Sequence, residues 1–184
     1  MDVEKLLFLG ASNWLRCWLL VNYVFDEDNG IIRDKLTGER CFIVYKTGME
    51  SIFKRLAEIF DSGIEVLLLE SSRSAGKHLA DSTEEAKTDI KRLLSKYTKR
   101  FARVGFGRFE VCELKPEEAM MRFRVWNNLF AEMRYGESTY CCYVGGLVSG
   151  IYKELLHEAP QVKEVKCIGN GDPYCEFLLT RKAP

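Results

Sequence analysis

The stretch Val165-Lys166-Cys167-Ile168-Gly169-Asn170-Gly171-Asp172-Pro173-Tyr174-Cys175-Glu176-Phe177 decides how the chain folds. Gly169 to Pro173 is a run of turn formers. Val162 to Ile168 and Tyr174 to Leu179 flank it, so the stretch reads as a β-hairpin. Cys167 and Cys175 sit symmetrically about the turn and are expected to face one another across it. Upstream lie Glu164 and Cys141, completing the pattern Cys-x22-Glu-x2-Cys-x7-Cys. Ser138 reads as the N-cap of a helix running to about His157, which makes Cys141 its third residue. A helix N-terminus carries about half a positive charge and favours a thiolate there. Three thiolates and a carboxylate suit a tetrahedral Zn2+ shell, and four protein ligands would close it, which implies a structural metal.

Other readings stay open at this point. The cysteines can be plain buried residues, or Cys167 and Cys175 can form a disulfide. Cys142 can replace Cys141, and His157 can replace Glu164. Glu164 and Cys167 are three apart, so a regular strand would put them on opposite faces. They converge only if Glu164 precedes the strand or a bulge intervenes.

Working outward, Phe106 to Leu114 and Ala119 to Asn127 form a second hairpin around Lys115-Pro116-Glu117-Glu118. Phe109 and Val111 share one face of its first strand; Met121, Phe123 and Val125 share one face of its second, with Arg122 and Arg124 pointing the other way. Before the sheet come helices over Ser51–Phe60 and Ile64–Ala80. A third follows a capping box at Ser82-Thr83-Glu84-Glu85 and shows Ile90, Leu93, Leu94, Tyr97 and Phe101 on one face. Its basic face, Lys91, Arg92, Lys96, Lys99 and Arg100, reads as solvated. Further upstream, Val3 to Tyr23 reads as a helix, Asp26 to Gly30 as a turn, and Ile31–Lys35 and Cys41–Tyr45 as short strands. Helices first and paired strands later give an α/β chain of the α+β kind, an antiparallel sheet of two hairpins covered by helices. The expected division is a helical segment over residues 1–29, able to dimerise, and a binding domain over 30–184.

The chain has 184 residues, with 27 Lys plus Arg against 27 Asp plus Glu. Zero net charge argues against a dedicated nucleic-acid binder. Seven cysteines, an odd and scattered set, do not form a secreted disulfide framework. Leu6 to Phe25 is apolar but interrupted by Arg16, so no membrane span is expected and the protein is read as cytoplasmic. Gly76-Lys77 lacks the rest of a phosphate loop, and Gly105-Phe106-Gly107 and Gly169-Asn170-Gly171 lack the third glycine of a dinucleotide site. His78 and His157 are the only histidines, and neither is placed beside a nucleophile. No catalytic residue is assigned.

The closing hairpin resembles the signature of the 4-vinyl reductase domain family. That family shares its fold with the Bet3-like subunits of the TRAPP vesicle-tethering complex, a fold tied to NO signalling and Golgi transport. Related domains are the sensor part of bacterial phenol-responsive activators. The likeness runs upstream through Ser72-Arg73-Ser74-Ala75-Gly76, Val104 to Glu110 and Tyr143 to Gly150, covering about Gly30 to Arg181. In the phenol sensors three cysteines and a glutamate hold zinc; by motif these are Cys141, Glu164, Cys167 and Cys175 here. The resemblance also implies a homodimer and a buried cavity for a hydrophobic or aromatic small molecule, whose lining residues follow no fixed motif. No ATPase or DNA-binding region is read after the domain, so the chain is not expected to be such an activator itself.

Gly145, Gly146 and Gly150 within a helix each cost about 1 kcal/mol against Ala, which signals close approach to a helix, a partner or a ligand. Met120, Met121, Met133, Phe106, Phe109, Phe123, Trp126 and Phe130 can form either an adaptable apolar wall or ordinary core. The leading expectation is a zinc-stabilised small-molecule-binding domain acting as sensor or carrier. The alternatives are a tetrapyrrole vinyl reductase-type enzyme or accessory, for which no nicotinamide or flavin motif and no acid–base pair is found, and an assembly subunit like the TRAPP proteins.

Overall fold

The computed structural model describes residues 23–35, 38–81, 89–136, 138–156 and 160–181. The chain divides into two compact units, Met1–Val44 and Tyr45–Pro184. In the first, β1 (Tyr23–Asp26), β2 (Ile31–Asp34) and β3 (Arg40–Cys41) form an antiparallel meander. The β1–β2 turn is held by the Asp26 carboxylate, which accepts the Asn29 backbone N–H at 3.1 Å, and Gly30 supplies the left-handed step at φ +62°. The helix read over Val3 to Tyr23 lies outside the described residues, except for Tyr23, which opens β1. The strand expected over Cys41–Tyr45 stops at Cys41: Phe42 and Tyr45 are 81% and 82% exposed, so that apolar run has no sheet to pack on.

The second unit begins with α1 (Lys46–Phe60) and α2 (Ile64–Asp81), followed by α3 (Ile90–Arg103). The capping box at 82–85 lies outside the described residues. The described start of α3 is capped by Asp89, whose side chain accepts the Arg92 N–H at 3.1 Å. Leu93, Leu94, Tyr97 and Phe101 are buried on one face of α3, as the spacing predicts.

Two hairpins then build one four-stranded antiparallel sheet. β4 (Arg108–Lys115) pairs with β5 (Met120–Trp126), and β8 (Gln161–Lys166) pairs with β9 (Cys175–Thr180). The hairpins join through β5 and β9, giving the order β4-β5-β9-β8. Between them lie a one-turn helix α4 (Leu129–Glu132), a tiny ribbon of β6 (Arg134–Tyr135) and β7 (Ser138–Thr139), and the long helix α5 (Cys142–Leu156). Ser138 is therefore not a helix cap. Its neighbours pair across the ribbon, Arg134 with Thr139 and Tyr135 with Ser138, and α5 starts only at Cys142, later than the Ser138 signal suggests.

The sheet's inner face carries Met121, Phe123, Val125, Cys175, Phe177 and Leu179, all essentially unexposed. Phe123 and Phe177 stack at 4.9 Å between ring centroids. On the outer face, Glu176 is 3% exposed yet fully paired: Arg124 donates to it at 2.6 Å and Arg122 at 3.3 Å. The Arg124 hydrogen bond holds the Glu176 carboxyl below its ordinary value of 4.5, against the opposing effect of burial. A carboxyl so depressed adds stability that is present above pH 4.5 and lost as the pH falls through its lowered value. Glu176→Gln should therefore flatten the acid limb of a urea-melt stability profile; an unchanged limb would show that the pair contributes nothing.

Helices α2 and α5 cross in backbone contact. A Cβ on Gly76 would lie 2.0 Å from the Leu147 carbonyl oxygen, and one on Gly150 would lie 2.0 Å from that of Arg73. Gly146 meets the Leu69 carbonyl oxygen in the same way, at 2.3 Å. The glycine cost in α5 is thus answered by another helix at Gly146 and Gly150. At Gly145 it is answered by the sheet, where Val162 and Phe177 close in. Arg73 donates to Ser149 across the same crossing at 3.1 Å.

Candidate functional site: a cluster of three cysteines and a glutamate

The last hairpin, the ribbon and the start of α5 converge on one point. Cys141 sits immediately before α5, and its carbonyl oxygen accepts the N–H groups of Val144 and Gly145 at 3.0 and 3.3 Å. It is thus at the helix entry rather than inside the first turn. Cys175 opens β9 and Cys167 closes β8's extension; Cys141, Cys167 and Cys175 are 0%, 5% and 0% exposed. The sequence's parity problem is resolved by a bulge. Glu164 pairs with Phe177 but Lys166 pairs with Glu176, leaving Val165 without a partner in the ladder. The extra residue shifts the pleat by one, so Glu164 and Cys167 return to the same inner face.

The ligand atoms of Cys141, Glu164, Cys167 and Cys175 all lie within 4.8 Å of one another. The Cys141 sulfur is 3.7 Å from both the Cys167 and Cys175 sulfurs. Those three cysteines are free thiols, so the disulfide reading is not the arrangement found. Cys142 is not in the cluster, and burial pushes its thiol up to about 12. His157 lies outside the described residues.

The donor set fits a soft divalent cation. A metal with sulfur bonds of about 2.3 Å in tetrahedral array spaces its sulfurs at about 3.8 Å, close to the two distances found. Glu164 Oε1 is buried with no hydrogen-bond partner among the described residues, an orphaned acceptor suited to a cation. With protein groups alone, the four acids cannot all ionise. Burial raises Glu164 to about 7 and raises Cys167, while Cys141 is driven up by its hydrogen bond to Cys175 and by desolvation. Cys175 alone is lowered, to about 6, by the Cys141 hydrogen bond first and then by the Ile168 N–H.

Side chains around the cluster fix it in place. Asn128 donates from Nδ2 to the Cys141 sulfur at 3.4 Å while its Oδ1 caps α4 by accepting the Phe130 N–H. The Thr139 hydroxyl lies 3.5 Å from the Cys167 sulfur. Asp172, inside the turn, accepts the Cys167 N–H at 2.9 Å, and Arg134 donates to the Gly169 carbonyl at 2.7 Å. The sequence reading missed Asn128, Thr139 and Arg134. Asn128 had a usable signal, a cap residue between a strand and an apolar turn.

An apolar gap lies between α3, the inner sheet face and α5. It has a volume of about 20 Å³ and is walled by Phe101, Phe109, Val111, Met121, Phe123 and Ile151, among others. Beside it runs an open groove of about 430 Å³ between α3 and β4, with Lys91, Ser95, Cys112 and Glu113 among its walls. Leu94, Thr98 and Val111 border both. Of the proposed apolar wall, Phe109, Met121 and Phe123 line this gap. Met133 and Phe130 are solid core, and Trp126 faces outward, donating to Glu110 at 3.1 Å.

The domain model of the 4-vinyl reductase family matches residues 121–181. An uncharacterized protein of Methanocaldococcus jannaschii is 25% identical over 117 residues, 64% of this chain; the match spans 65% of that relative's length. The phenol-responsive sensory domain of the transcription activator PoxR, solved with phenol, superposes with a TM-score of 0.71 at 15% identity, covering 93% of this chain and 92% of that one. The trafficking protein particle complex subunit 3 of Naegleria fowleri, covalently bound to palmitic acid, gives 0.55 at 14% identity, covering 75% and 93%. At these identities the structures establish shared fold alone. Among the described residues no helix is long and apolar enough to cross a membrane. Residues 121–181 are thus a 4-vinyl reductase domain segment, set in the α+β fold that the TRAPP subunit shares.

Proposed function

We propose that the chain is a zinc-tied small-molecule-binding domain, a sensor or carrier for an apolar or aromatic ligand. The observation that carries the ligand half is the apolar gap under α3 adjoining the α3–β4 groove. The Phe109 and Phe123 rings would receive the apolar body, while Lys91, Ser95 and Glu113 offer polar contacts at the mouth. Sulfur spacing and the orphaned Glu164 oxygen support the metal half. When bound, zinc would neutralise the thiolates and join β8, β9 and the entry to α5. The proteins sharing the fold were solved with phenol and with palmitic acid, which agrees with an apolar ligand.

The gap itself is far smaller than the ~150 Å³ cavity that admits benzene. Binding therefore requires α3 to lift from β4. The small gap also favours a second reading, an assembly subunit with a permanently filled interior.

Titration calorimetry of the full chain with phenol and with palmitate separates the two. The sensor reading expects one of them to bind, and Ser95→Trp, which plugs the groove from an exposed position, to weaken binding by roughly tenfold or more, about 1.4 kcal/mol, with zinc content unchanged. Binding of neither compound would leave the assembly reading standing.

A further inference from the structure

A second, polar recess lies in the Tyr45–Pro184 unit, away from the α3–β4 groove. Its volume is about 310 Å³, and its border runs from Asp61, Ser62 and Glu65 to Tyr135, Thr139 and Tyr140. Ile64 and Leu68, on α2, are buried and give it an apolar floor. Asp61, Ser62, Glu65 and Ser138 are exposed and form its rim. Hydroxyl-bearing Ser138, Thr139 and Tyr135 line the side toward the β6–β7 ribbon. None of the bordering residues is basic.

One wall residue points to a ligand. Tyr140 is 3% exposed, and its hydroxyl is buried with no hydrogen-bond partner among the described residues. An unsatisfied buried hydroxyl is unfavourable, and a tyrosine held only for its ring could be a phenylalanine. The Tyr140 ring is already anchored edge-on to Phe53 at 5.2 Å. The hydroxyl is therefore an addition that the packing does not use.

We propose that this recess binds a small organic cation, a primary ammonium on a compact apolar body that also carries a hydrogen-bonding group. The ammonium would sit between the Asp61 and Glu65 carboxylates at the rim. The body would lie over Ile64 and Leu68, and its polar group would reach the Tyr140 hydroxyl. The N-terminus of α2 offsets about half a unit of charge, so two carboxylates leave the mouth acidic. Thr139 borders both the recess and the cysteine cluster, where its hydroxyl meets the Cys167 sulfur. The site is independent of the α3–β4 groove, and its failure would leave the groove reading untouched.

The test is titration of the full chain with tyramine, with its anionic counterpart 4-hydroxyphenylacetate, and with the neutral 4-ethylphenol. Tyramine should bind, with an affinity that falls as salt rises, while the anion should not. Asp61→Asn with Glu65→Gln should weaken tyramine by roughly tenfold, and both changes are at exposed positions. Tyr140→Phe should weaken tyramine several-fold while raising the melting temperature of the free protein. Equal binding of all three compounds, binding insensitive to the carboxylate variants, or no tyramine binding would each overturn the proposal. Ser95→Trp should leave tyramine affinity unchanged; loss of binding there would place the ligand in the groove instead and equally refute it.

Discussion

Cys175→Ser is expected to release the metal and leave the Tyr45–Pro184 unit largely unfolded. Cys175 is unexposed, and its sulfur lies 3.7 Å from the Cys141 sulfur and already accepts the Ile168 N–H at 3.5 Å. A serine oxygen is harder, shorter and not deprotonated near neutral pH, so it cannot take the thiolate's place. Ligation in structural zinc peptides is worth about 10–16 kcal/mol, against a typical domain stability of about 5–15 kcal/mol. Even partial loss of that binding energy removes the margin. What remains is a buried group of acids that burial holds protonated, with Glu164 Oε1 still unpaired. Cys167→Ser should behave alike, whereas Cys142→Ser should keep both metal and fold, since Cys142 lies outside the cluster. Zinc content by plasma mass spectrometry and melting temperature by circular dichroism check this. Full zinc and unchanged melting in Cys175→Ser would remove the structural role.

Gly150→Ala is the second large effect. In an isolated helix, alanine would gain about 1 kcal/mol over glycine. Here the new methyl would lie 2.0 Å from the Arg73 carbonyl oxygen and 2.8 Å from the Lys77 nitrogen. Both are backbone atoms of α2, so relief requires the whole helix to shift. Overpacking a tight core costs about 1–3 kcal/mol when side chains can yield. With backbone on the far side, a net loss of about 3 kcal/mol or more is expected. Gly145→Ala is the internal control: its methyl meets the Val162 side chain at 2.7 Å, which can rotate, so the loss should be distinctly smaller. Urea melts of the two variants measure the difference. A neutral Gly150→Ala would mean that α2 and α5 are not in backbone contact.

The parts of this architecture that were legible in sequence are those with local chemical punctuation. Gly169 to Pro173 marked the closing turn, and Lys115 to Glu118 the other, so both hairpins and the sidedness of Arg122 and Arg124 followed. The helix glycines announced a close approach but not its partner, because crossing geometry is a property of two segments. Ser138 misled because a serine before an apolar helix is the usual cap pattern. The competing ribbon depends on Gly136 at φ +58°, a turn too short to register in periodicity. The Val165 bulge carried no glycine or proline to betray it, so the Glu164–Cys167 parity stayed unresolved until the register was seen. Cys41 to Tyr45 failed in the opposite direction: a compact apolar run looked buried, but Phe42 and Tyr45 face solvent.

Cys141, Glu164, Cys167 and Cys175 bear the heaviest part of the functional proposal, and zinc-edge X-ray absorption of the purified full chain reads their chemistry without any substitution. The expected result is one zinc per chain with three sulfur neighbours at about 2.3 Å and one oxygen at about 2.0–2.2 Å. A folded chain free of metal, or a shell dominated by nitrogen and oxygen, would contradict it.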